Sequence, residues 1–377
     1  MKIFYWAPWI GNVGTIKAVL NSARILKHYS KNKIDTRVIN SVGEWEKFKN
    51  DVQLIDLSKF KFHKFLPQGG FYFSRITYII IFLYSFIPLV NLVNREKPDY
   101  LIVQLITSLP LFLKLIFNLK TKIILRISGY PKMNFLRKLF WKIVSKRIHR
   151  ITFPSYDLFL QFKELKIFDE NRMHVLYDPI ISYKEVVKLK NNQLFQEKDL
   201  KNNYILCIGR LTKQKNFSFV INNFKKIQKK HKDIQLLIVG EGELKEKLEK
   251  QIINLDLQKK VHLEGFQSNV YKYMKNSKLF VLSSLWEEIG FVIVEAASCN
   301  VNILSSNCKN GPKEFLLNGK AGYLFENNNS ESFKMKFEEF MNDSLHNKKN
   351  KKILAKKETK KFTFLNHYNS FKKILPI

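Results

Sequence analysis

Residues Ser283–Asn300 read SSLWEEIGFVIVEAASCN and follow the apolar run Leu279–Leu282. A short apolar run bounded by polar residues is typical of a buried strand, and a helix that is apolar on every side, as the stretch after Gly290 would be, is typically buried. Glu295 lies in the middle of that stretch, where a carboxylate is unfavourable unless it accepts good hydrogen bonds. The segment therefore predicts a strand–loop–helix unit that holds an acid in a buried position.

The same alternation of strand and helix runs along both halves of the chain. In the first half we predict a helix at Ile16–Ser30 and strands at Lys2–Ala7, Thr36–Ile39, Tyr100–Gln104, Ile123–Ile127 and Ile151–Pro154. In the second half we predict helices at Phe217–His231 and Glu243–Leu255 and strands at Tyr204–Ile208, Ile234–Val239, Val261–Leu263, Leu279–Ser283 and Val301–Leu304. This alternation predicts an α/β protein with two parallel-sheet domains. Because ligands bind outside the carboxyl ends of such strands, we expect the domains to face each other across a ligand cleft.

The chain of 377 residues is long enough for two domains. Residues 183–203 are polar and rich in lysine, which is typical of a linker. We therefore predict one domain at 1–185 and a second at 200–355. An apolar pattern returns in residues 362–377, and we expect that segment to be a helix that docks back on the first domain.

Basic residues dominate the charge of the chain, because 65 Lys and Arg against 32 Asp and Glu give a net charge of +33. Ten of these 65 residues are arginine, so a coding bias toward lysine accounts for part of the excess. A field of this strength attracts anionic partners, with nucleic acid and an acidic membrane face as the two obvious classes. The sequence shows no zinc finger, RNP-type motif or isolated basic helix, so we expect no nucleic-acid partner.

Three further features bear on the compartment. Cys207, Cys299 and Cys308 lack metal-binding spacing and fit reduced thiols of a cytoplasmic protein. The N-terminal residues have no long apolar region of a signal peptide. The apolar segment Ile76–Val93 is short for a membrane span and contains polar residues, so we predict a buried or interface-lying helix there.

A second strand end carries two cations. The segment CIGRLTKQKNF, Cys207–Phe217, places Arg210 and Lys215 between a strand and a helix, directly after Gly209. A guanidinium grips phosphate oxygens through a planar fork and a lysine adds a mobile charge, so the pair suits a diphosphate. The alternative is a pair of solvated side chains, but Arg210 is the only arginine after Arg172, which favours a specific role.

Two more strand ends complete the candidate site. The pair Gly240 and Gly242 follows a strand and allows either a tight turn or close approach of a ligand. Glu287 can accept hydrogen bonds from sugar hydroxyls, and Glu295 from ribose hydroxyls or, alternatively, from a neighbouring Lys or Arg. The start of the helix favours an anion such as phosphate through free backbone N–H groups. These groups belong to Ile289, Gly290 and Phe291.

Taken together, these segments resemble the large family 4 of retaining glycosyltransferases, which have the GT-B fold with two Rossmann-like domains. Glu287 and Glu295, with seven residues between them, resemble its E-x7-E motif. GRLTKQKNF resembles the family's phosphate-binding segment, and IVGEGEL resembles its strand-end glycines. VHLEGF, which contains Phe266, resembles the segment that contacts the base, and SNCKNGPKEFLLNGKAGYLF resembles the stretch after the motif. Two departures stand out. Glu288 and Ile289 replace the first G and the F of EGFG, and Ser128 replaces a histidine that many members carry.

The resemblance implies transfer of a hexosyl group, with retained configuration, from a nucleoside-diphosphate sugar to a glycan or lipid-linked acceptor in polysaccharide or lipopolysaccharide biosynthesis. Arg210 and Lys215 would neutralise the leaving diphosphate, Glu287 would position the sugar and Glu295 the ribose. In the first, acceptor-binding domain the acceptor-side residues would be Gly11, Gly14, Thr15 and Ser128. Because the chain has no Asp-x-Asp sequence, we expect neither a metal nor another cofactor. The alternatives are an epimerase or phosphorylase of the same fold, or a catalytically silent assembly partner.

A basic, apolar segment suggests where such an enzyme acts. The segment KMNFLRKLFWKIVSKRIHR, Lys132–Arg150, combines apolar side chains with three of the ten arginines. Basic residues that flank an apolar face, with Trp141 at the boundary, suit a helix lying on an anionic membrane. The alternative is a surface helix that packs its apolar side on the sheet. We expect a cytoplasmic protein attached peripherally to the inner face of the membrane.

Overall fold

A computed structural model of the chain describes residues 1–9, 14–67, 71–131, 133–191 and 203–375. The chain divides into two compact units, one formed by Met1–Pro179 with Phe364–Ile377 and the other by Ile180–Thr363. The predicted linker at 183–203 is wrong in its first part, because Tyr183–Lys190 is a helix. Its Val186 is buried, and the Ser182 hydroxyl accepts a hydrogen bond at its N-terminus, so packing and capping outweigh the polar composition.

Strands and helices alternate along both units. The strands are β1 (Lys2–Trp6), β2 (Asp35–Asn40), β3 (Leu54–Asp56), β4 (Tyr100–Val103), β5 (Lys122–Arg126), β6 (Ile148–Phe153), β7 (Met173–Val175), β8 (Tyr204–Ile208), β9 (Gln235–Val239), β10 (Val261–Leu263), β11 (Leu279–Leu282), β12 (Ile303–Ser306) and β13 (Tyr323–Phe325). The helices are α1 (Gly14–Tyr29), α2 (Phe71–Glu96), α3 (Ser108–Ile116), α4 (Phe135–Ser145), α5 (Tyr156–Leu165), α6 (Tyr183–Lys190), α7 (Phe217–Lys230), α8 (Lys245–Asn254), α9 (Tyr271–Asn276), α10 (Phe291–Ser298), α11 (Pro312–Phe315), α12 (Ser330–Asn342), α13 (Leu345–Glu358) and α14 (Phe364–Ile374).

Each unit is built on one parallel sheet, as the sequence predicted. The seven-stranded sheet of the first unit has the order β3-β2-β1-β4-β5-β6-β7, and the six-stranded sheet of the second has the order β10-β9-β8-β11-β12-β13. The central strands β4, β8 and β11 are buried along their whole length, because helices cover both faces of the sheets. The sequence analysis missed β3, β7 and β13. Each of these has three residues and lies at a sheet edge, as β10 does, so strands this short have too few apolar positions for consistent detection.

The C-terminal helix α14 packs within the first unit. Phe371, Ile374 and Leu375 share an apolar core with β1 and α1. The imidazole of His367, a buried residue of this helix, has Nδ1 2.8 Å from the carbonyl oxygen of Tyr177 and Nε2 2.9 Å from the Ser22 hydroxyl. Burial lowers the pKa of His367 to about 3, so the ring is neutral in the folded protein. The helix is thus fixed by a neutral polar contact as well as by apolar packing.

A buried ion pair lies beside this histidine. Arg126, the last residue of β5, donates to Asp178 Oδ1 and, over 2.6 Å, to the carbonyl oxygen of Leu176. The two charged side chains are 3% and 11% exposed. Burial raises the pKa of Asp178 even though Arg126 lowers it. The cavity they line has a volume of about 10 Å³, which is the lower limit for a single water molecule.

Two predictions about helices need correction. Gly14 and Thr15, predicted in an acceptor loop, are the first residues of α1, and Gly11 lies outside the described residues. Trp141, predicted at a membrane boundary, is 6% exposed and packs in the core of the first unit with Val144. The reason is that α4 packs this side, together with the partly buried Phe140, on the protein, while four other apolar residues face outward. Those outward residues are Phe135, Leu136, Leu139 and Ile143.

Helix α2 contains the predicted segment Ile76–Val93. It has 26 residues, and the part Tyr72–Glu96 is long and apolar enough to cross a membrane by length and composition. Its most apolar window is 39% buried within the protein, which gives it one covered side and one open side.

Candidate active site

The predicted donor residues lie at the carboxyl ends of four adjacent strands in the second unit. Gly209 follows β8, Gly240 follows β9, Phe266 follows β10, and Glu287 lies in the loop after β11. Since β10, β9, β8 and β11 are parallel neighbours, these ends meet at one edge of the sheet. The structure therefore brings together, from four separate loops, the residues that the sequence singled out one by one.

The glycines after β8 and β9 allow two loops to touch. Gly240 has φ +142°, and a Cβ built on it would lie 2.0 Å from the carbonyl oxygen of Gly209. A Cβ on Gly242 would lie 2.5 Å from the carbonyl oxygen of Leu211. Leu211 N donates to the carbonyl oxygen of Glu241 over 2.8 Å, which fixes this approach. Loop packing therefore accounts for both glycines, in line with the tight-turn alternative, and contact with a donor stays a prediction.

Lys215 and Glu287, 72 residues apart, form an ion pair. The two side chains are 12% and 9% exposed. The Ser284 hydroxyl donates to Glu287 Oε1 over 2.6 Å, and the Ser283 hydroxyl donates to the carbonyl oxygen of Lys215 over 2.7 Å. The carboxylate is thus held by an ammonium and a hydroxyl at once. The sequence pointed to both charged residues but not to their pairing, nor to Ser284.

Arg210 is exposed beside this pair on the same loop. In the described part of the chain its guanidinium donates one hydrogen bond, 3.4 Å long, to Gln214 Oε1. Gln214 in turn donates to the carbonyl oxygen of Trp286 over 2.9 Å, which joins the loop after β8 to the loop after β11. Because this partner is a neutral amide, it does not offset the positive charge that Arg210 brings to the sheet edge. A diphosphate would find there an accessible fork of N–H donors.

Helix α10 begins where the sequence predicted. Gly290 precedes it with φ +75°, a backbone conformation that favours glycine, and the Ile289 side chain is buried. The first N–H groups of the helix have no intrahelical acceptor, so this end favours an anion. Gly311 packs closely against the loop before α10, because a Cβ on it would lie 1.9 Å from the carbonyl oxygen of Glu288. The sequence analysis did not single out Gly311, although its Gly-Pro dipeptide is a turn signal.

Glu295 is 6% exposed, as the apolar sequence around it predicted. Its Oε1 accepts a 3.4 Å hydrogen bond from the Tyr271 hydroxyl, which comes from α9. Burial and the neighbouring carboxylate raise the pKa of Tyr271 far above its usual value, so the phenol stays a donor. Tyr271 was not among the two partners considered from the sequence, ribose or a cation. The side chain that meets a buried acid depends on packing between helices.

Two other predicted residues have clear positions. The Phe266 side chain is 71% exposed, and its N–H donates to Glu241 Oε1 over 3.5 Å. An exposed ring at a strand end is available for stacking on a base. Ser128 lies in the first unit, in the segment after β5, and is partly buried. Cys207, Cys299 and Cys308 are free and buried thiols, and burial raises the pKa of Cys308 to about 11.

Comparison with known proteins agrees with this geometry. Residues 190–360 match the family described as glycosyl transferases group 1. A glycosyltransferase of unassigned specificity from Methanocaldococcus jannaschii is 31% identical over 244 residues, which are 60% of this chain and 60% of the relative. The Campylobacter jejuni N-acetylgalactosamine-N,N'-diacetylbacillosaminyl-diphospho-undecaprenol 4-alpha-N-acetylgalactosaminyltransferase is 28% identical over 226 residues, 57% of this chain and 59% of the relative. The chain thus aligns with about three fifths of the length of these curated relatives.

Solved structures extend the likeness to the whole chain. A glycosyltransferase from Rickettsia africae superimposes with a TM-score of 0.77 at 16% identity and covers 99% of this chain and 98% of its own. The Anabaena protein HepE in complex with UDP-glucose superimposes with a TM-score of 0.72 at 15% identity, with coverage of 99% and 98%. These likenesses show the fold alone. The predicted GT-B fold with two parallel-sheet units is confirmed.

Proposed function

Because this chain has the GT-B fold and carries a glycosyl transferases group 1 domain at residues 190–360, we propose that it is a retaining glycosyltransferase. It moves a sugar from a nucleoside-diphosphate sugar to a glycan or lipid-linked acceptor in cell-surface polysaccharide biosynthesis. The observation that carries the proposal is the meeting of Arg210, Lys215 and Glu287 at one sheet edge, beside the N-terminus of α10. The relatives, which are named as glycosyltransferases, favour transfer over the epimerase or phosphorylase alternative.

The charges at this edge suit the departure of a diphosphate. As the bond between the sugar and the diphosphate breaks, negative charge develops on the leaving oxygen, and cations already in place stabilise it. Arg210 offers its fork from the surface, and Lys215 offers an ammonium that Glu287 and the loop hold in position. In this proposal Glu287 also orients the donor sugar, and Glu295 the ribose. These protein groups do the work that a metal ion would otherwise do.

The proposed acceptor side lies in the first unit. The Campylobacter relative is named for transfer to a diphospho-undecaprenol-linked sugar, which supports a lipid-linked acceptor here. Helix α4 supports attachment to the cytoplasmic face of a membrane, because four apolar side chains and several basic ones lie exposed on it. The exposed apolar side chains are Phe135, Leu136, Leu139 and Ile143, and the exposed basic ones on α4 are Arg137, Lys138 and Lys142.

A thermal-shift screen of nucleoside-diphosphate sugars tests the donor proposal. A ligand at 100 times its Kd stabilises the folded state by about 2.7 kcal/mol, so a true donor raises the Tm clearly. We expect one class of these sugars to raise the Tm, and Arg210→Ala to abolish most of the shift. Lys213→Ala removes an exposed cation from the same loop and should leave the shift unchanged. If no such sugar stabilises the protein, or if the two variants behave alike, the proposed site is wrong.

Sedimentation with vesicles tests the membrane proposal. Binding should require anionic lipid and fall with added salt. The exposed cations Arg137, Lys138 and Lys142 are the ones to replace with Glu. Arg147 is less suitable, because its guanidinium donates to the carbonyl oxygens of Lys114 and Leu115 at the end of α3 and has a structural role. Equal binding to neutral and anionic vesicles would contradict attachment through these cations, and no binding to anionic vesicles would favour a soluble acceptor.

A further inference from the structure

A groove of about 600 Å³ lies in the first unit between α2, the loop after β4 and α4. Its volume is within the range of small-molecule sites in proteins. Apolar side chains make up most of its lining, and six of them carry the argument: Ile79, Phe82, Leu83, Leu136, Phe140 and Trp141. The groove is distant in sequence from the donor residues, and none of those residues lines it. A ligand in this groove would therefore be a different molecule from the sugar donor.

The apolar surface continues outside the groove along α2. Five exposed apolar residues recur every three or four positions, which places them on one face of the helix. They are Tyr72, Ile76, Ile79, Leu83 and Ile87, with exposed fractions of 79%, 47%, 60%, 68% and 56%. Proteins that stay in water rarely expose a connected apolar stripe of this length. Only the middle of the stripe, at Ile79 and Leu83, lines the groove.

The stretch of chain that forms one wall of the groove is basic. Residues 100–156 contain eleven Lys and Arg and not one Asp or Glu. Arg137 lies among the residues that line the groove, and Lys138 is exposed next to it on α4. A ligand that leaves an anionic group at this end would meet the guanidinium of Arg137 and the ammonium of Lys138. The surface is thus complementary to a molecule that is apolar along its length and anionic at one end.

We infer that the groove binds the single hydrocarbon chain of a phosphate-headed lipid, with the phosphate at Arg137. The bilayer itself is a poorer occupant, because a flat apolar stripe is enough to rest on a membrane, whereas a concave site lined by rings suits one chain. A chain lying between α2 and α4 would hold a lipid-linked acceptor at the first unit. In this last respect the inference rests on the proposed function, while the binding of the chain does not.

Binding of monomeric dodecyl phosphate, below its micelle concentration and without any vesicle, tests the inference. Trp141, one of five tryptophans in the chain, lines the groove, so the change in tryptophan emission that Trp141→Phe abolishes reports occupancy, and calorimetry gives the stoichiometry. We expect saturable binding of one molecule per chain. Inorganic phosphate alone should not bind measurably, and dodecyl maltoside, which has the chain without the charge, should bind more weakly.

Two variants one turn apart on α2 separate the groove from the stripe. Leu83→Glu places a charge in the groove, and Ile87→Glu places the same charge on the stripe outside it. Both positions are exposed, so both variants should fold. We expect Leu83→Glu to weaken dodecyl phosphate binding at least about tenfold, since apolar contacts are lost and the phosphate is repelled. Ile87→Glu should leave it within about twofold.

The inference is overturned by three results: no saturable binding, many molecules bound per chain, or equal loss in both variants, which would mean adsorption to the stripe. The thermal shift given by nucleoside-diphosphate sugars is measured on the same samples. If chain binding fails while that shift persists, the groove inference falls and the proposed function stands. If the shift fails while one chain still binds at the groove, the reverse holds.

Discussion

Each unit buries one cation beside a carboxylate near the carboxyl end of a parallel strand. In the first unit Arg126 ends β5 and pairs with Asp178, and in the second unit Lys215 follows β8 and pairs with Glu287. The exposed fractions are similarly low, at 3% and 11% for the first pair and 12% and 9% for the second. Burial alone therefore does not tell a structural pair from a functional one.

What surrounds the two pairs differs. Arg126 also donates to a backbone carbonyl, and its cavity has room for no more than about one water. The Lys215–Glu287 pair lies instead between two loops, with Arg210 exposed on the loop that carries Lys215. A pair sealed by the protein holds the fold together. A pair that has an exposed, neutrally partnered cation on the same loop is suited to exchange its partners with a ligand.

The comparison predicts the largest effect at Arg126. Replacing Arg126 with Met leaves Asp178 buried without a cation and should lower the free energy of unfolding by about 3–5 kcal/mol. Equilibrium unfolding in urea measures this loss. Arg137→Met, at an exposed arginine, is the control and should cost little.

The double variant Arg126→Met with Asp178→Leu should recover part of the loss at Arg126, because no unpaired charge then remains buried. A loss below about 1 kcal/mol in the single variant would show that this pair contributes little to stability.

Arg210 should show the opposite behaviour. Arg210→Lys keeps the charge but loses the planar fork, so kcat/KM for transfer should fall by the equivalent of about 2–4 kcal/mol. Because the residue is exposed, the free energy of unfolding should stay the same. Steady-state kinetics and urea unfolding on one preparation separate the two quantities. A Lys variant with near-native kcat/KM would remove Arg210 from the diphosphate site.

The buried histidine beside the Arg126–Asp178 pair also predicts that the stability of the protein depends on pH. The folded-state pKa of His367 is about 3, against 6.5 for a free histidine. Below pH 6.5 the unfolded chain therefore binds a proton that the folded protein does not. The contribution of His367 to the free energy of unfolding is complete above pH 6.5 and is lost as the pH falls toward 3. About 2 kcal/mol is lost at pH 5.

Burial raises the pKa of Glu44 to about 7, so Glu44 changes the stability with pH in the opposite direction. A comparison of variants separates the effect of His367 from that of Glu44. His367→Gln should reduce the loss of stability between pH 8 and pH 5 by about 2 kcal/mol, while His28→Gln, at an exposed histidine of α1, should not. Burial also lowers the pKa values of His63, His149 and His174, so their part of the loss remains in both variants. Thermal unfolding at both pH values gives the difference. Equal pH dependence in the two variants would contradict the assignment.

A smaller effect is expected at Glu295. Glu295→Gln still accepts from Tyr271 but has no negative charge, so donor binding should weaken by about 1 kcal/mol. The change should appear mainly in the KM for the donor, with the fold intact. A large drop in Tm without any change in the KM for the donor would show that Glu295 has a structural role.

Chelation should have the smallest effect of all. If protein cations and the helix N-terminus stabilise the diphosphate, transfer should continue at an unchanged rate in excess EDTA. The assay is repeated with Mg²⁺ restored. A loss of activity that Mg²⁺ reverses would mean that Arg210 and Lys215 do not suffice.

Local patterns predicted most of the fold. The bounds of β8 and β10 agree with the structure, and so does the start of α10, because apolar runs and glycines act over a few residues. The same patterns placed Arg210, Lys215 and Glu287 at strand ends, as the structure shows, while their roles stay predictions. Partners distant in sequence could not be predicted, as with Asp178 for Arg126 and Tyr271 for Glu295, since tertiary packing decides them. The burial of Trp141 was missed for the same reason.

The return of α14 to the first unit has a consequence for the order of events during synthesis. The second unit is one continuous insertion whose ends meet, because Ile180 N and Ile181 N both donate to the carbonyl oxygen of Phe362. It can therefore form as soon as residues 180–363 have left the ribosome. The first unit, although its sheet emerges earlier, must wait for His367 to reach Ser22 across 345 residues of chain. The part that is made first is thus completed last, and the face of α1 that α14 covers stays open until α14 has been made.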